Sequence, residues 1–287
     1  MQWSYATQSA VTEPGVYHAL LDGLPSSSAD VARVAQGLVY HYRSGKHFFG
    51  YQPPKERIPE IDTRTLEQML KRIIALDKRS LHEPRAYERR LIGCCRDFSL
   101  IACAILRHHH IPARLRYGFG TYFHEGYWED HVIVEVWTGS RWQQFDPQLA
   151  GVLRTEVDLF DMPPGAFVTG GRAWQLCRNE GSDPARFGLG PHVPEVSGWW
   201  VIRGRLLLDI AALHKTELLC WDEWSYGDEQ HSELTQEEEQ QLDHVAQLSL
   251  QSEFEELTAL WHADKRLGVP AEINCFSPAV GPHQVKL

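Results

Sequence analysis

The stretch CRDFSLIACAILRH, from Cys95 to His108, decides how the rest of the chain is interpreted. Apolar residues lie on nearly every side of the helix that it would form, which is typical of a central helix buried all round. Gly93 and Cys94 precede the stretch, and Pro112 follows it. Ala113 to Phe119 then alternate apolar residues with arginine and glycine, a period-two pattern that predicts a half-exposed strand. We therefore expect a buried helix followed by a strand.

A hairpin and further helices are predicted outside this stretch. Val132 to Trp137 is strand-like, and Thr138-Gly139-Ser140 supplies a turn into Arg141 to Phe145. Helical spacing marks four more segments, residues 26–43, 63–76, 199–220 and 235–265. The last of these contains two sequence patterns of the capping-box type, Thr235-x-x-Glu238 and Ser252-x-x-Glu255.

The register of the hairpin matters for chemistry. If Trp137 pairs with Trp142 across the turn, Ile133 lies opposite Asp146, and His131 is diagonal to Asp146 on the same face. A shift of one residue would send Asp146 to the other face, so this prediction depends on the turn.

Composition excludes several classes of function. The 287 residues carry a formal net charge of −10, which provides no basic field for nucleic acid or anionic lipid. The apolar runs are far shorter than the roughly 18–20 residues of a membrane span. The start of the sequence shows no secretory pattern, and the six cysteines do not form a disulfide framework, so we expect a cytoplasmic protein with reduced thiols.

Cys94 and Cys95 stand where the buried helix begins. A helix N-terminus stabilises negative charge on sulfur, and a neighbouring imidazole completes an activated nucleophile. A single cysteine is more often a buried, unreactive residue. A catalytic cysteine becomes the favoured interpretation because the hairpin brings together a base, His131, and a carboxylate that orients it, Asp146.

The same residues resemble the transglutaminase-like superfamily. The resemblance is carried by these segments: Gly93 to Ser99, Leu106-Arg107, Ile111 to Arg114, His131 to Trp137 and Trp142 to Pro147. It implies an α+β, papain-like core with a buried helix packed on an antiparallel sheet. It also implies Cys95 as nucleophile, His131 as general base and Asp146 as orienter, with Cys94 as a neighbour.

Segments nearer the C-terminus resemble stand-alone bacterial members of that superfamily. They are Phe187-Gly188, Leu207 to Leu213 and Trp221 to Trp224. We expect an N-terminal helical and loop segment over residues 1–60, a catalytic core over 61–150, and a mostly helical C-terminal extension over 151–287 that does not fold independently.

Two functional classes remain open on the sequence. The first is a cysteine-dependent enzyme that forms a Cys95 thioester from a peptide, protein or small amide, with hydrolysis slightly favoured over transfer to an amine. The second is a non-catalytic binding or assembly module on the same scaffold. Aromatic residues before His131, among them Tyr117, Tyr122 and Trp128, either bind the acyl group or fill a core.

A metal-dependent enzyme that uses His108 to His110 and nearby acids is the third alternative, and we expect no metal. His108, His109 and His110 are consecutive, so their side chains would point in different directions on a helix, and the helix dipole alone explains their position at its C-terminal end. We expect no cofactor, and the sequence does not define the oligomeric state.

Overall fold

The computed structural model describes residues 2–227, 234–251 and 255–287. The α-helices in these ranges are α1 (Ser28–Leu38), α2 (Gly45–Phe49), α3 (Leu66–Leu76), α4 (Cys95–His108), α5 (Gly170–Asn179), α6 (Trp199–Leu213), α7 (Gln236–Leu248) and α8 (Glu255–Ala263). The strands are β1 (Val39–His41), β2 (Leu91–Gly93), β3 (Ala113–His124), β4 (Tyr127–Trp137), β5 (Trp142–Phe145), β6 (Phe167–Thr169), β7 (Phe187–Gly188), β8 (Asp222–Glu223), β9 (Glu272–Ser277) and β10 (Gly281–Lys286).

The main sheet has the strand order β5-β4-β3-β6, and β7 also pairs with β4. The pairs β4/β5 and β3/β6 are antiparallel, whereas β7 runs parallel to β4. A short parallel pair joins β1 to β2, and an antiparallel sheet has the order β10-β9-β8. This mixture of helices with a largely antiparallel sheet confirms the predicted α+β class.

Helix α4 has the bounds that the sequence predicts, and it is buried from its first residue to Arg107. It packs against α1 and α3 and against the short strands β1 and β2. The Arg107 guanidinium donates to the carbonyl of Ala113 at 2.9 Å, which fixes the end of the helix against the start of β3.

Strand β3 is buried where a half-exposed strand was predicted. Arg114 and Arg116 are both buried, and each forms an ion pair inside the protein. Arg114 bonds to Glu135 at 2.7 Å, and Arg116 bonds to Asp209 at 2.8 Å. The prediction of a solvent-exposed face was wrong because the alternating arginines face buried carboxylates.

The β4/β5 hairpin has the predicted register. Trp137 pairs with Trp142, Glu135 with Gln144, and Val134 with Phe145. Strand β4 begins at Tyr127 rather than at Val132, and it pairs with β3 as well as with β5.

Side-chain caps mark the starts of helices α1 and α7. The Ser27 hydroxyl accepts the Asp30 N–H at the start of α1, and this helix ends at Leu38 because the chain continues as β1 beside β2. The capping box of Thr235 and Glu238 is present at α7. The second box lies outside the described residues, because Ser252 is not among them.

Contacts divide the chain into two units. The first comprises residues 1–115 and 132–163, and the second comprises residues 116–131 and 164–287. In the second unit α5 packs against α6 and α7, and β8, β9 and β10 add a sheet that the sequence did not predict. None of the described helices has both the length and the apolar content needed to cross a membrane.

Candidate active site

Cys95 is the first residue of α4, and Cys94 is its N-cap. Both cysteines are buried. The Asp97 carboxylate reaches back and accepts the backbone N–H of Cys94 at 2.8 Å. A carboxylate in the first helical turn satisfies a terminal donor and also interacts favourably with the helix dipole. The start of α4, and with it the position of Cys95, is therefore fixed by local bonds.

Gly93 lets the chain enter this helix. A Cβ atom at Gly93 would lie 2.6 Å from the Asp97 Oδ2 and 2.9 Å from the Val39 Cγ1. The Gly93 carbonyl also accepts the N–H of Tyr42 at 2.9 Å. Only glycine fits between the capping carboxylate and β1 without displacing one of them.

The capping carboxylate is neutralised inside the protein. The Arg96 guanidinium donates to Asp97 at 3.1 Å and to the Arg64 carbonyl at 2.6 Å. The side chains of Arg96 and Asp97 are both buried. Asp97 therefore holds the start of the helix in place.

A half-buried carboxylate, Glu60, anchors the strand that leads into the site. Glu60 accepts the backbone N–H of Ile92, in β2, at 3.0 Å, and it also bonds to Arg57 and Arg72. Burial raises the pKa of the Glu60 carboxyl, but the hydrogen bonds from Arg57, Ile92 and Arg72 outweigh burial and leave this pKa below its usual value. Glu60 thus stays ionised and holds β2 at neutral pH.

Ser99 links the cysteine helix to the histidine strand. It lies one helical turn after Cys95, and its hydroxyl donates to the Val132 carbonyl at 2.9 Å in a buried hydrogen bond. Val132 directly follows His131 along β4. The bond therefore fixes Val132 of β4 against α4 within the first unit.

Asp146 follows the last residue of β5 and is fully buried. Its Oδ1 accepts the backbone N–H groups of Gln148 at 2.9 Å and Leu149 at 3.0 Å. Its own N–H donates to the Leu159 carbonyl at 2.9 Å. These bonds fix the carboxylate, because Oδ1 is held in a turn of its own backbone.

The loop after Asp146 is held by one side chain from α1. The Gln36 Nε2 contacts three carbonyl oxygens, those of Ala150 at 3.0 Å, Pro147 at 3.2 Å and Gln148 at 3.3 Å. Sequence reasoning missed Gln36, because it lies more than a hundred residues from this loop and no local pattern marks it. Ser99 was also missed, although a hydroxyl within the otherwise apolar stretch from Phe98 to Leu106 was a usable signal.

His131 is buried in β4 beside aromatic rings. The Phe123 ring centroid lies 5.1 Å from that of His131, and the Tyr122 centroid lies 6.3 Å away, both in edge-on arrangements. Edge-to-face packing of this kind fixes the orientation of an imidazole. Of the three residues predicted to bind the acyl group, Tyr122 is the one whose ring packs against His131. Both residues belong to the second unit.

The other two predicted substrate-binding residues have different surroundings. Tyr117 is fully buried, and its hydroxyl donates to the Leu218 carbonyl at 2.5 Å. Trp128 stacks on Phe187 with 4.6 Å between ring centroids, and the Arg186 guanidinium covers the Trp128 ring at 4.9 Å.

A family profile matches the part of the chain that contains the candidate site. Residues 61–147 match the profile of the transglutaminase-like superfamily, and this range includes Cys95, His131 and Asp146. The match confirms the resemblance that the sequence motifs carry. It extends over less than half of the chain.

A solved structure and the curated proteins complete the comparison. The structure is that of a candidate cysteine protease from Cytophaga hutchinsonii, with 17% sequence identity and a TM-score of 0.21. The similarity covers 57% of this chain and 49% of that chain, so it spans about half the length of that protein. No curated protein matches the chain.

Proposed function

We propose that this protein is a cysteine-dependent acyl-transfer enzyme acting on an amide or peptide bond. Cys95 is the nucleophile, His131 the general base, and Asp146 the carboxylate that orients His131. The transglutaminase-like match over residues 61–147 supports a cysteine-dependent enzyme. The roles of the three residues are proposed in addition.

The observation that carries the proposal is the register of the β4/β5 hairpin. Val134 pairs with Phe145, so continuing the register by one residue sets Ile133 opposite Asp146. His131 lies two residues before Ile133 in β4 and on the same face, since side chains alternate along a strand. Diagonal neighbours on one face lie roughly 7–8 Å apart, a separation that an imidazole and a carboxylate can bridge.

The start of α4 supports the role of Cys95. The first turn of a helix presents backbone N–H groups and the positive end of the dipole, which stabilise a thiolate and then an oxyanion. Ser99 bonds this helix to the residue after His131, which favours a fixed separation between nucleophile and base. Small errors in such a separation are costly to catalysis.

The reaction proceeds in two halves. His131 accepts the proton of the Cys95 thiol, Sγ attacks the carbonyl carbon, and the C–N bond breaks as the imidazolium returns that proton to the leaving amine. This leaves a thioester on Cys95. His131 then deprotonates water, the hydroxyl adds to the thioester carbon, and the C–S bond breaks as the imidazolium returns the proton to Sγ, which gives the acid and regenerates the thiol.

We propose water rather than an amine as the second acceptor, with Tyr122 and Trp128 binding the acyl group. An amine would follow the same steps and would give a new amide. Product analysis with and without an added amine distinguishes the two outcomes. A growing amide product at the expense of the acid would reassign the enzyme to amine transfer.

The first test is the labelling of thiols by iodoacetamide as a function of pH, with the modified residues located by peptide mass analysis. We expect Cys95 to react faster than a small reference thiol at neutral pH, and His131→Ala to abolish that advantage. Cys177 is a matched internal control, since burial raises the pKa of its thiol to about 12. The assay needs no substrate.

The second test is activity on a panel of small amides and peptides. Cys95→Ala should abolish turnover, because removing a nucleophile costs several orders of magnitude in rate. Slow labelling of Cys95 that does not change in His131→Ala would refute the proposal. It would favour a non-catalytic binding module on this scaffold instead.

A further inference from the structure

Three ligand-type side chains meet at the C-terminal end of α4, within the first unit. His18, Asp22 and His108 each place one ligand atom within 4.8 Å of the other two. The His108 Nε2 lies 2.9 Å from the Asp22 Oδ1. The rings of His18 and His108 are 4.6 Å apart between centroids.

This cluster is formed by tertiary contact and not by the run of three histidines. His108 faces Asp22, whereas the His109 Nε2 bonds to the Leu24 carbonyl at 2.8 Å. His110 is exposed and adopts a left-handed backbone with φ of 57°. The three histidines point in different directions, and His108 is the one whose ring lies beside the side chains of His18 and Asp22.

The segment that carries the other two ligands is held in place. Leu21 and Leu24 are buried, and the Leu21 N–H donates to the His18 carbonyl at 3.0 Å. The bond between His109 and the Leu24 carbonyl ties the same turn to the end of α4. Because the turn is anchored on both sides of Asp22, little further ordering is needed to bring the three ligands onto one ion.

We propose that His18, Asp22 and His108 bind a divalent transition-metal ion, with zinc the ion that two imidazoles and one carboxylate fit best at neutral pH. Three protein ligands and one open position for water complete a tetrahedral zinc site. Magnesium and calcium are disfavoured, because they need six or more oxygen ligands. On binding, the ion replaces the direct contact between the His108 Nε2 and the Asp22 carboxylate, and each of the two atoms then bonds to the metal.

The site is remote from the proposed chemistry. His108 lies 13 residues after Cys95 on the same helix, which is about 20 Å at 1.5 Å per residue. The bound ion would therefore fasten residues 15–24 to the helix that carries Cys95. At a zinc concentration 100-fold above Kd, the unfolding equilibrium constant should fall about 100-fold, provided that the unfolded chain does not bind zinc.

The test uses the full chain and zinc chloride, followed by calorimetric titration and thermal unfolding. The variants are His18→Ala, Asp22→Asn and His108→Gln, and the matched control is His110→Asn. Asparagine tolerates the left-handed backbone at that position, so the control removes a neighbouring histidine without strain. Cobalt(II) absorption, recorded before and after alkylation of the thiols, distinguishes nitrogen and oxygen ligands from cysteine sulfur.

The expected result is one zinc ion per chain, with affinity reduced at least tenfold in each of the three variants and unchanged in His110→Asn. That factor is a lower bound, because the loss of groups that merely support a ligand already costs about 10–100-fold in affinity. His18 is exposed, so His18→Ala decides the matter if His108→Gln does not fold.

Three results would overturn the proposal. The first is equal zinc affinity in the wild type and all three variants. The second is a cobalt spectrum with thiolate bands that alkylation removes, since that ion would be bound by cysteine. The third is binding of magnesium as tight as that of zinc, which would indicate attraction to surface acids only. None of these readouts depends on catalytic activity.

Discussion

Asp209→Asn tests the buried ion pair that holds β3 to α6. The Asp209 carboxylate accepts the Arg116 Nε at 2.9 Å, the Arg116 Nη2 at 2.8 Å and the Tyr117 N–H at 3.0 Å. The side chains of the pair are 5% and 0% exposed, so water cannot replace a lost partner. The substitution keeps the shape of the side chain and removes its charge.

The expected loss follows from that burial. Removing one partner of a buried pair leaves an uncompensated charge and costs about 3–5 kcal/mol of unfolding free energy. Because folded proteins are stable by only about 5–15 kcal/mol, this is a large share of the total. With a urea m-value of about 3 kcal/mol/M, the unfolding midpoint should fall by about 1–2 M.

The assay is urea unfolding followed by tryptophan fluorescence and far-ultraviolet circular dichroism. Coincident transitions in the two signals are needed before a free energy is extracted. Glu180→Gln is the matched control, since it breaks an ion pair with Arg172 that is exposed at the surface. Pairs of that kind contribute about 0–1 kcal/mol.

A further variant separates charge from packing. Arg116→Met combined with Asp209→Leu removes both charges and should recover part of the stability, because apolar replacements of buried pairs are often neutral, whereas the Tyr117 N–H loses one acceptor. The reasoning would be refuted if Asp209→Asn lost no more stability than Glu180→Gln. It would also be refuted if the double variant were less stable than Asp209→Asn alone.

Three further substitutions or measurements test other parts of the structure. Gly93→Ala should cost about 1–3 kcal/mol of unfolding free energy, because the new methyl group would collide with the Asp97 carboxylate, whereas Gly23→Ala meets nothing within 4 Å and should be neutral. His214→Gln should weaken the loss of stability between about pH 7 and pH 5, since burial lowers the pKa of His214 and only the unfolded chain gains that proton as the pH falls through about 6.5. The Cys177 thiol, whose pKa burial raises to about 12, should react with iodoacetamide more slowly than a reference thiol at pH 8.

Denaturant unfolding measures the effect of Gly93→Ala. Unfolding at a series of pH values measures the effect of His214→Gln, and peptide mass analysis measures the labelling of Cys177. If Gly93→Ala were as well tolerated as Gly23→Ala, the helix start would not be as tightly packed as described. An unchanged pH dependence in His214→Gln would show that other groups account for it. Rapid labelling of Cys177 would contradict the effect of its burial.

The elements around the candidate site could be predicted from sequence because their causes are local. Apolar residues on nearly every side of α4 predict a buried helix. The predicted bounds, Cys95 to His108, match those in the structure. The hairpin register follows from the turn at Thr138 to Ser140, and the pairing of Trp137 with Trp142 confirms it. Short-range patterns therefore place Cys95 at a helix start and Asp146 at the end of a strand.

The features that sequence reasoning missed depend on residues far apart in the chain. Arg114 and Arg116 alternate with apolar residues, and the same alternation arises whether the polar face meets water or buried carboxylates. Their partners Glu135 and Asp209 lie 21 and 93 residues further along the chain. The approach of His18 to His108 has the same origin, since no local pattern relates them.

The contact of Gln36 with three carbonyl oxygens determines which residues position 36 can accept. Glutamate is nearly identical in volume and outline, and substitution scales treat the exchange as mild. A carboxylate, however, has no N–H to donate and would face three oxygens of like partial charge. The substitution that changes the shape of residue 36 least is therefore among the most disruptive. Which residues position 36 accepts depends on whether they donate hydrogen bonds, not on their size.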